Sequence, residues 1–324
     1  MHVADIKRIT VIGAGSMGHG IGQEFAVAGY TVLLHDTARE KLQQAIQRIE
    51  LNLLELSEWN ILRADEIGPT MDRIQTTTIL EEAAEDADIV VEAVFEDLQL
   101  KRRIFRDLDS ICPQRTILAS NTSALMPSAL ASATKRPDRV LVTHFYNPPY
   151  LMPLVEVARG KLTSDETVNT VYELLKKMRK SPVILQKEIL GFIATRLQIA
   201  LFREAFTIVE RGVATPQDVD MAVKSSFGRR LAVAGPFEMC EYNDGWDQIE
   251  KIENYVLPDL GVSKEPSPLI VEKVKRGELG AKTGKGFYEW TPEFAEAWRK
   301  NLTETLIRFL PPSTEQAPRK DLDD

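Results

Sequence analysis

Three polar segments in the first half of this 324-residue sequence could take part in proton transfer. They are Ser120-Asn121-Thr122-Ser123, His144 and Glu156. The first two end short apolar runs of the kind that form buried strands, and Glu156 lies in an apolar stretch shortly afterwards. In open α/β sheets the reactive crevice lies beyond the carboxyl ends of the strands, so these side chains are the first candidates for chemistry.

His144 is the best candidate for a general base. The chain has four histidines, and only this one ends a predicted strand, beside the turn Asn147-Pro148-Pro149. An alcohol that is oxidised by loss of hydride must also lose its hydroxyl proton, and a neutral imidazole is the usual acceptor near pH 7. A carboxylate on the far nitrogen, which Glu156 could supply, would raise its basicity. A hydrogen-bonded core histidine with an unrelated glutamate would give the same pattern, and composition alone favours that interpretation.

A glycine-rich turn near the N-terminus predicts the site of the nicotinamide dinucleotide. The segment Gly13-Ala14-Gly15-Ser16-Met17-Gly18 follows the apolar run Ile9 to Ile12. Gly13 allows a tight turn, Gly15 lets backbone approach a diphosphate, and Gly18 lets the next helix lie close to the sheet. That helix, opening at Ser16, would direct its free N–H groups at the phosphates.

Asp36 ends the second predicted strand and indicates which dinucleotide binds. Its carboxylate is placed to accept hydrogen bonds from both ribose hydroxyls and to repel a 2′-phosphate, which favours NAD over NADP. Arg39, near the same ribose, is the one indication of NADP, but a solvated residue in the first turn of a helix is the favoured interpretation.

Length and composition limit the kind of protein this is. A chain of 324 residues predicts two domains, and a net charge of -8 argues against nucleic-acid or anionic-membrane partners, which require a basic surface. Cys112 and Cys240 match no metal-ligand spacing, so we expect two reduced thiols and no metal. No stretch resembles a signal peptide or reaches membrane-spanning length, which predicts a cytoplasmic protein.

The elements that must position these residues fall into two groups. Alternating strands and helices predict an α/β, Rossmann-type doubly wound sheet over residues 1–188, with a helical appendage at about 38–71. Helical periodicity then predicts an all-α C-terminal domain over 189–310, and residues 311–324 cannot bury enough to order and are predicted to be a disordered tail. The helices predicted in the second domain follow a long first helix and span residues 216–226, 237–256, 265–276 and 292–309.

The order of seven motifs resembles that of the 3-hydroxyacyl-CoA dehydrogenase family. They are Gly13 to Gly18, Val91-Glu-Ala-Val-Phe-Glu96 with Lys101, Ser120 to Ser123, His144-Phe-Tyr-Asn-Pro148, Leu154-Val-Glu-Val157, Gly191-Phe-Ile-Ala-Thr-Arg196 and Gly280-Ala-Lys-Thr-Gly-Lys-Gly-Phe-Tyr288. The resemblance implies an NAD-binding Rossmann domain followed by a helical domain that usually dimerises, so a homodimer is expected.

The resemblance also assigns roles to residues. It implies that His144 is the catalytic base, Glu156 its carboxylate partner and Ser123 the hydroxyl that binds the substrate oxygen. It places Glu96, Lys101 and Asn121 at the cofactor and the adjoining crevice, although the sequence alone would make Glu96 and Lys101 a solvated pair near a helix start. Thr195 stands where the family commonly has Asn, so the second polar contact to substrate is altered.

The substrate implied by the family is an L-3-hydroxyacyl-CoA, as in fatty acid metabolism, but other features favour a smaller molecule. The appendage has no lysine between Lys41 and Lys101, and its only cations there are Arg48, Arg63 and Arg73. The charged phosphates of CoA would require more cations nearby than these three arginines. Pro153 stands where the CoA-using branch of the family often has lysine, and the run Asn147 to Tyr150 resembles the relatives that oxidise small free hydroxy compounds, such as gulonate and carnitine dehydrogenases. A third possibility, a non-catalytic protein like the lens crystallins of the family, conflicts with the intact His144, Glu156 and Ser123.

Overall fold

The computed structural model describes residues 2–310, apart from the side chains of Asn243 and Asp244. Within that range eight strands form one sheet, and they are β1 (Arg8–Ile12), β2 (Thr31–His35), β3 (Ile74–Thr77), β4 (Ile89–Glu92), β5 (Ile117–Ser120), β6 (Val140–Phe145), β7 (Leu154–Arg159) and β8 (Ser181–Leu185). Their order across the sheet is β3-β2-β1-β4-β5-β6-β7-β8. Neighbouring strands are parallel except β6 and β7, which are antiparallel.

Helices cover both faces of this sheet. They are α1 (Gly18–Val27), α2 (Arg39–Glu58), α3 (Ala64–Asp72), α4 (Leu80–Ala84), α5 (Leu98–Ile111), α6 (Pro127–Ala131) and α7 (Asp165–Lys177). On β4, Val91 faces the apolar cluster that contains α1 and α7, whereas the preceding Val90 faces the cluster of α5 and α6. Because both faces are buried, the strands are almost continuously apolar, as parallel strands usually are. The predicted Rossmann-type sheet with its α2–α3 appendage is confirmed.

The remaining helices form a second unit. They are α8 (Ala194–Glu210), α9 (Pro216–Ser225), α10 (Phe227–Arg230), α11 (Pro236–Met239), α12 (Trp246–Val256), α13 (Pro268–Lys275) and the first part of α14 (Pro292–Ile307). The predicted all-α composition of this region is confirmed. The single helix predicted over 237–256 is wrong, because a π-helical turn follows α11 and Gly245, with a φ of 71°, interrupts the helix before α12.

The two compact units do not follow the predicted domain boundary. The first contains the chain up to Ile193 and again from Asn301, and the second runs from Ala194 to Lys300. Phe192, just beyond the predicted boundary, packs in a buried cluster with the sheet residue Val142 and belongs to the first unit. Ile307 likewise packs on α2 in the first unit. The tail predicted at 311–324 lies outside the described residues.

Two strands and two helices of the first unit are absent from the sequence-based prediction. The strands are β3 and β7 and the helices are α4 and α7. The strand β3, Ile-Gln-Thr-Thr, lies at the edge of the sheet and has one apolar residue. Its sequence therefore lacks the apolar run by which a strand is recognised.

No helix among residues 2–310 combines the length and apolar character that a membrane span needs.

Candidate active site

His144 and Glu156 face each other directly across the antiparallel strands β6 and β7. His144 Nδ1 lies 2.8 Å from Glu156 Oε2, and both side chains are buried. The second carboxylate oxygen, Oε1, accepts a 2.8 Å hydrogen bond from the backbone N–H of Ile193. The alternative of an unrelated glutamate is therefore wrong. A carboxylate held in this way can orient the imidazole and stabilise a positive charge on it.

The far nitrogen of His144 points to Ser123. His144 Nε2 lies 3.0 Å from Ser123 Oγ. An ionised carboxylate only accepts hydrogen bonds, so Nδ1 carries the proton and Nε2 presents its lone pair to the serine hydroxyl. Ser123 is exposed whereas His144 is buried. This geometry can receive a substrate hydroxyl beside the serine and accept its proton on Nε2.

Two aromatic rings flank the imidazole of His144. The ring centroids of Tyr146 and Phe192 each lie 5.4 Å from it. Phe192 is buried and has a φ of 51°, a left-handed conformation that brings the next N–H, of Ile193, to Glu156. Neither Phe192 nor Ile193 is among the predicted site residues. The signal in the sequence is Gly191 followed by a bulky residue, in the same motif as Thr195.

Glu96 fixes the loop that carries Ser123. Its Oε1 atom accepts hydrogen bonds from the backbone N–H of Ser123 at 3.2 Å and of Ala124 at 3.1 Å. The hydroxyl of Thr122 also donates to this oxygen. One carboxylate oxygen therefore gathers three donors from the turn after β5, which limits the positions that the Ser123 hydroxyl can take.

Lys101 is buried, contrary to the alternative of a solvated pair. Its Nζ atom lies 2.7 Å from Glu92 Oε1, 3.2 Å from the carbonyl oxygen of Val94 and 3.4 Å from Glu96 Oε2. The side chains of Lys101 and Glu92 are 1% and 0% exposed, and the hydroxyl of Ser120 donates to Glu92 Oε2 at 2.6 Å. The two buried charges are thus paired with each other and hydrogen-bonded. The hydrogen bond from Ser120 to Glu92 also links the end of β5 to the end of β4. Glu92 is absent from the predicted site.

The other two predicted substrate and cofactor residues, Asn121 and Thr195, occupy different units. Asn121 is buried, and its Oδ1 atom accepts a 2.8 Å hydrogen bond from the backbone N–H of Phe145, which ties the end of β5 to the end of β6. Thr195 lies in the second unit, half-buried in the first turn of α8.

The glycine turn between β1 and α1 has the shape that a dinucleotide needs. Gly13 has a φ of 103°, and a Cβ atom on Gly18 would lie 1.7 Å from the carbonyl oxygen of Gly13. Gly15 and Ser16 are exposed, and Met17 is half-buried. A Cβ atom on Gly15 would meet nothing within 4 Å. The backbone before α1 is therefore open to a diphosphate at a helix N-terminus.

Asp36 stands beside this turn after β2. Its Oδ2 atom accepts a 3.0 Å hydrogen bond from the N–H of Ala14, and Oδ1 accepts a 3.1 Å hydrogen bond from the N–H of Ala38. Each oxygen keeps capacity for a further donor, so the carboxylate can accept ribose hydroxyls. These residues fit NAD.

The sheet order, the glycine turn and the acid after β2 define the class of protein, a Rossmann-type dinucleotide-binding oxidoreductase. The chain belongs to the 3-hydroxyacyl-CoA dehydrogenase family. Residues 8–189 match the family's "3-hydroxyacyl-CoA dehydrogenase, NAD binding domain", and residues 191–290 match its "3-hydroxyacyl-CoA dehydrogenase, C-terminal domain". The predicted family, the NAD cofactor and the oxidoreductase class are confirmed.

Relatives within the family carry different names. A probable 3-hydroxybutyryl-CoA dehydrogenase of Bacillus subtilis is 39% identical, over 88% of this chain and 98% of the relative. A 5-formyl-3-hydroxy-2-methylpyridine 4-carboxylate 5-dehydrogenase of Mesorhizobium japonicum is 31% identical, over 93% of this chain and 96% of the relative. A crystal structure of a dehydrogenase for the same pyridine acid, described as an NAD+ dependent dismutase, superimposes with a TM-score of 0.88 at 30% identity, over 94% of this chain and 97% of that one.

Proposed function

We propose that the protein oxidises the 3-hydroxyl of an L-3-hydroxyacyl-CoA to the 3-keto compound, with His144 as the general base. The observation that carries this proposal is the hydrogen-bonded series Glu156–His144–Ser123, with separations of 2.8 Å and 3.0 Å. The acyl-CoA substrate is taken from the name of the Bacillus subtilis relative. This reaction belongs to fatty acid metabolism, and we expect it in the cytoplasm.

The residues divide the work as follows. Ser123, fixed by Glu96, donates a hydrogen bond to the substrate oxygen. His144 Nε2 accepts the hydroxyl proton, and Glu156 stabilises the imidazolium that results. The glycine turn and Asp36 would hold NAD, which would supply the acceptor for the hydride of C3. The C–OH group would thus become C=O, with its hydroxyl proton passed to His144.

A free small hydroxy acid or alcohol, of the carnitine or gulonate type, is the second candidate substrate, because few cations of the appendage remain for CoA phosphates. Arg63 is paired with Asp65, and Arg73 Nη1 donates to the carbonyl oxygen of Ala26 at 3.3 Å. The relative named for a pyridine carboxylate supports the same candidate. A non-catalytic, crystallin-like role is the weakest alternative, because Glu156, His144 and Ser123 form the contacts that proton transfer needs.

A substrate panel separates the candidates. Initial rates with NADH are measured for acetoacetyl-CoA, free acetoacetate and dehydrocarnitine, and with NAD for gulonate. The first proposal predicts a kcat/KM for acetoacetyl-CoA at least about tenfold above that for acetoacetate, because remote binding energy lowers the barrier. A preference for a free compound selects the second candidate. No turnover of any of them contradicts both.

We also propose that the protein is a homodimer formed through the helical unit. Among residues 194–300 with described side chains, none is buried, although many are large and apolar. The exposed examples include Leu197, Phe237, Trp246, Tyr255 and Val262. A second copy of the chain would remove this surface from water.

A further inference from the structure

Lys180 joins two separate parts of the first unit through its ammonium group. Its side chain is 5% exposed, and Nζ lies 2.5 Å from Glu24 Oε2 on α1. Nζ also donates hydrogen bonds to the carbonyl oxygens of Pro149 at 2.6 Å and of Met152 at 3.4 Å. An ammonium group has three N–H donors, and these three acceptors use all of them. The buried charge is thus paired and hydrogen-bonded.

The end of helix α7 fixes the backbone of Lys180. Arg179, just before it, has a φ of 59°. The N–H of Arg179 donates to the carbonyl oxygen of Lys176 at 2.9 Å, and the N–H of Lys180 donates to that of Leu175 at 3.0 Å. These two bonds form a Schellman motif, in which the left-handed position is usually glycine. An arginine there costs free energy, which the contacts of the Lys180 side chain can offset.

The two carbonyl oxygens belong to the β6–β7 turn, residues 146–153, which follows the strand that carries His144. Tyr146 begins this turn, and its ring centroid lies 5.4 Å from that of the imidazole. Three of the eight residues are proline and have no N–H, which limits the hydrogen bonds that the turn can make by itself. Lys180 supplies two donors from outside. Leu151 is buried with Ile307 and residues of α2, so the turn is also held by apolar packing.

The third partner of Lys180 connects this turn to the cofactor side of the site. Glu24 lies on α1, the helix that follows the glycine turn. Gly20, one helical turn before Glu24, lies against the β6–β7 turn, because a Cβ atom on it would be 3.1 Å from the ring of Pro149. Within the sheet, β1 and β6 are separated by β4 and β5, a distance of about 14 Å. Helix α1 is therefore a direct connection between the glycine turn and the end of β6.

We infer that Lys180 is a positioning residue, which holds α1 against the β6–β7 turn and so keeps the cofactor turn and His144 at a fixed separation. The inference rests on the proposed function, in which the hydride leaves a carbon whose hydroxyl proton goes to His144. The base and the dinucleotide site are carried by different elements, and a displacement of about 1 Å between them can lower the rate about one hundredfold. The loss of Lys180 should therefore lower kcat more than it weakens binding.

Lys180→Met tests this inference, with Lys177→Met as the matched control. Methionine keeps a long side chain without a donor, whereas Lys177 is exposed and lies over the ring of Tyr30. With NADH and the preferred substrate of the panel, we expect kcat of Lys180→Met to fall about ten- to one hundredfold. The dissociation constant of NADH should stay within twofold. Lys177→Met should change neither quantity.

Two further measurements distinguish positioning from a loss of folded protein. The primary isotope effect with NADH deuterated at C4 should rise in Lys180→Met, because hydride transfer then limits turnover. Lys180→Arg keeps a positive charge and several donors, so it should recover part of kcat. All rates are measured below the unfolding transition of each variant.

Glu24→Leu separates positioning of α1 from simple support of the turn. It removes the contact with α1 and leaves the bonds of Lys180 to the two carbonyl oxygens. The inference predicts a lower kcat and a larger isotope effect, as in Lys180→Met. A kcat within twofold of wild type would mean that Lys180 supports only the turn, which overturns the inference.

Hydrogen exchange gives a readout that does not require turnover. In the protein without cofactor, the amides of Tyr150, Leu151 and Met152 should exchange faster in Lys180→Met than in wild type or Lys177→Met. Faster exchange in a protein that turns over no substrate of the panel would overturn the proposed function and leave the link made by Lys180 intact.

Three other results overturn the positioning role. They are unchanged exchange of the turn in Lys180→Met, a loss of kcat of equal size in Lys177→Met, and a loss of NADH affinity that matches the loss of kcat. The last result would mean that Lys180 supports the cofactor site alone.

Discussion

His144 and Glu156 occupy directly opposed positions on β6 and β7, the one antiparallel pair among the eight described strands of the sheet. The register therefore sets the 2.8 Å separation of Nδ1 and Oε2, although the two residues are twelve apart in sequence. A shift of one residue would turn Glu156 to the other face and leave the imidazole without its acceptor.

Replacing Glu156 by Gln tests whether the carboxylate supports proton transfer. The amide keeps the size of the side chain but cannot balance an imidazolium, so we expect kcat to fall by about two to four orders of magnitude. The affinity for NADH, measured by fluorescence titration, should stay within twofold. A kcat close to that of wild type would mean that the His144–Glu156 pair only stabilises the fold. The loss of stability would then appear as a lower Tm of the variant.

Replacing Asp36 by Ala tests the cofactor preference. The carboxylate is available to ribose hydroxyls and repels a 2′-phosphate, so its loss should weaken NADH binding by about tenfold, the value of one or two hydrogen bonds, and strengthen NADPH binding. Dissociation constants for both dinucleotides are compared in wild type and variant. Tighter binding of NADPH than of NADH by the wild type would contradict the assignment of Asp36.

Stability should depend on the protonation of His35. Burial lowers the pKa of His35 below its ordinary value of 6.5, against an opposing effect of Asp36. The unfolded chain then binds more protons than the folded chain, so stability is complete above pH 6.5 and falls as the pH drops toward the lowered pKa. We expect Tm to decrease between pH 7 and pH 5, and to decrease less in His35→Gln. An equal pH dependence of Tm in wild type and His35→Gln would exclude His35 as a source of that dependence.

The exposed apolar surface of the helical unit predicts a dimer in solution. Light scattering after size exclusion should give twice the chain mass of 36.4 kDa at micromolar concentration. Binding of a hydrophobic dye such as ANS should be weak, since the second copy covers the apolar side chains. A monomer that binds the dye strongly would contradict the proposed homodimer.

The sequence predicted the sheet well where strands are apolar and buried on both faces. Val90 and Val91 on β4 face opposite clusters, and that arrangement produces a run that is easy to recognise. The edge strand β3 has one buried face at most and no such run. The break at Gly245 depends on a positive φ, which no periodicity reveals.

The candidate site was only partly predictable from the sequence. His144 could be proposed because it lies near the carboxyl end of a predicted strand. Glu156 could be proposed because it lies in an apolar stretch shortly after that strand. The contact of Ile193 with Glu156 depends on the left-handed backbone of Phe192. The pairing of Lys101 with Glu92 depends on burial. Residue spacing in the sequence predicts neither contact.

The most direct test of the account is the turnover of His144→Gln with the preferred substrate of the panel, measured together with NADH affinity. Glutamine can keep a hydrogen bond but cannot take up a proton, so kcat should fall by about two to four orders of magnitude while the dissociation constant of NADH stays within twofold. A kcat within tenfold of wild type, or a matching loss of NADH binding, would contradict a role of His144 as the base.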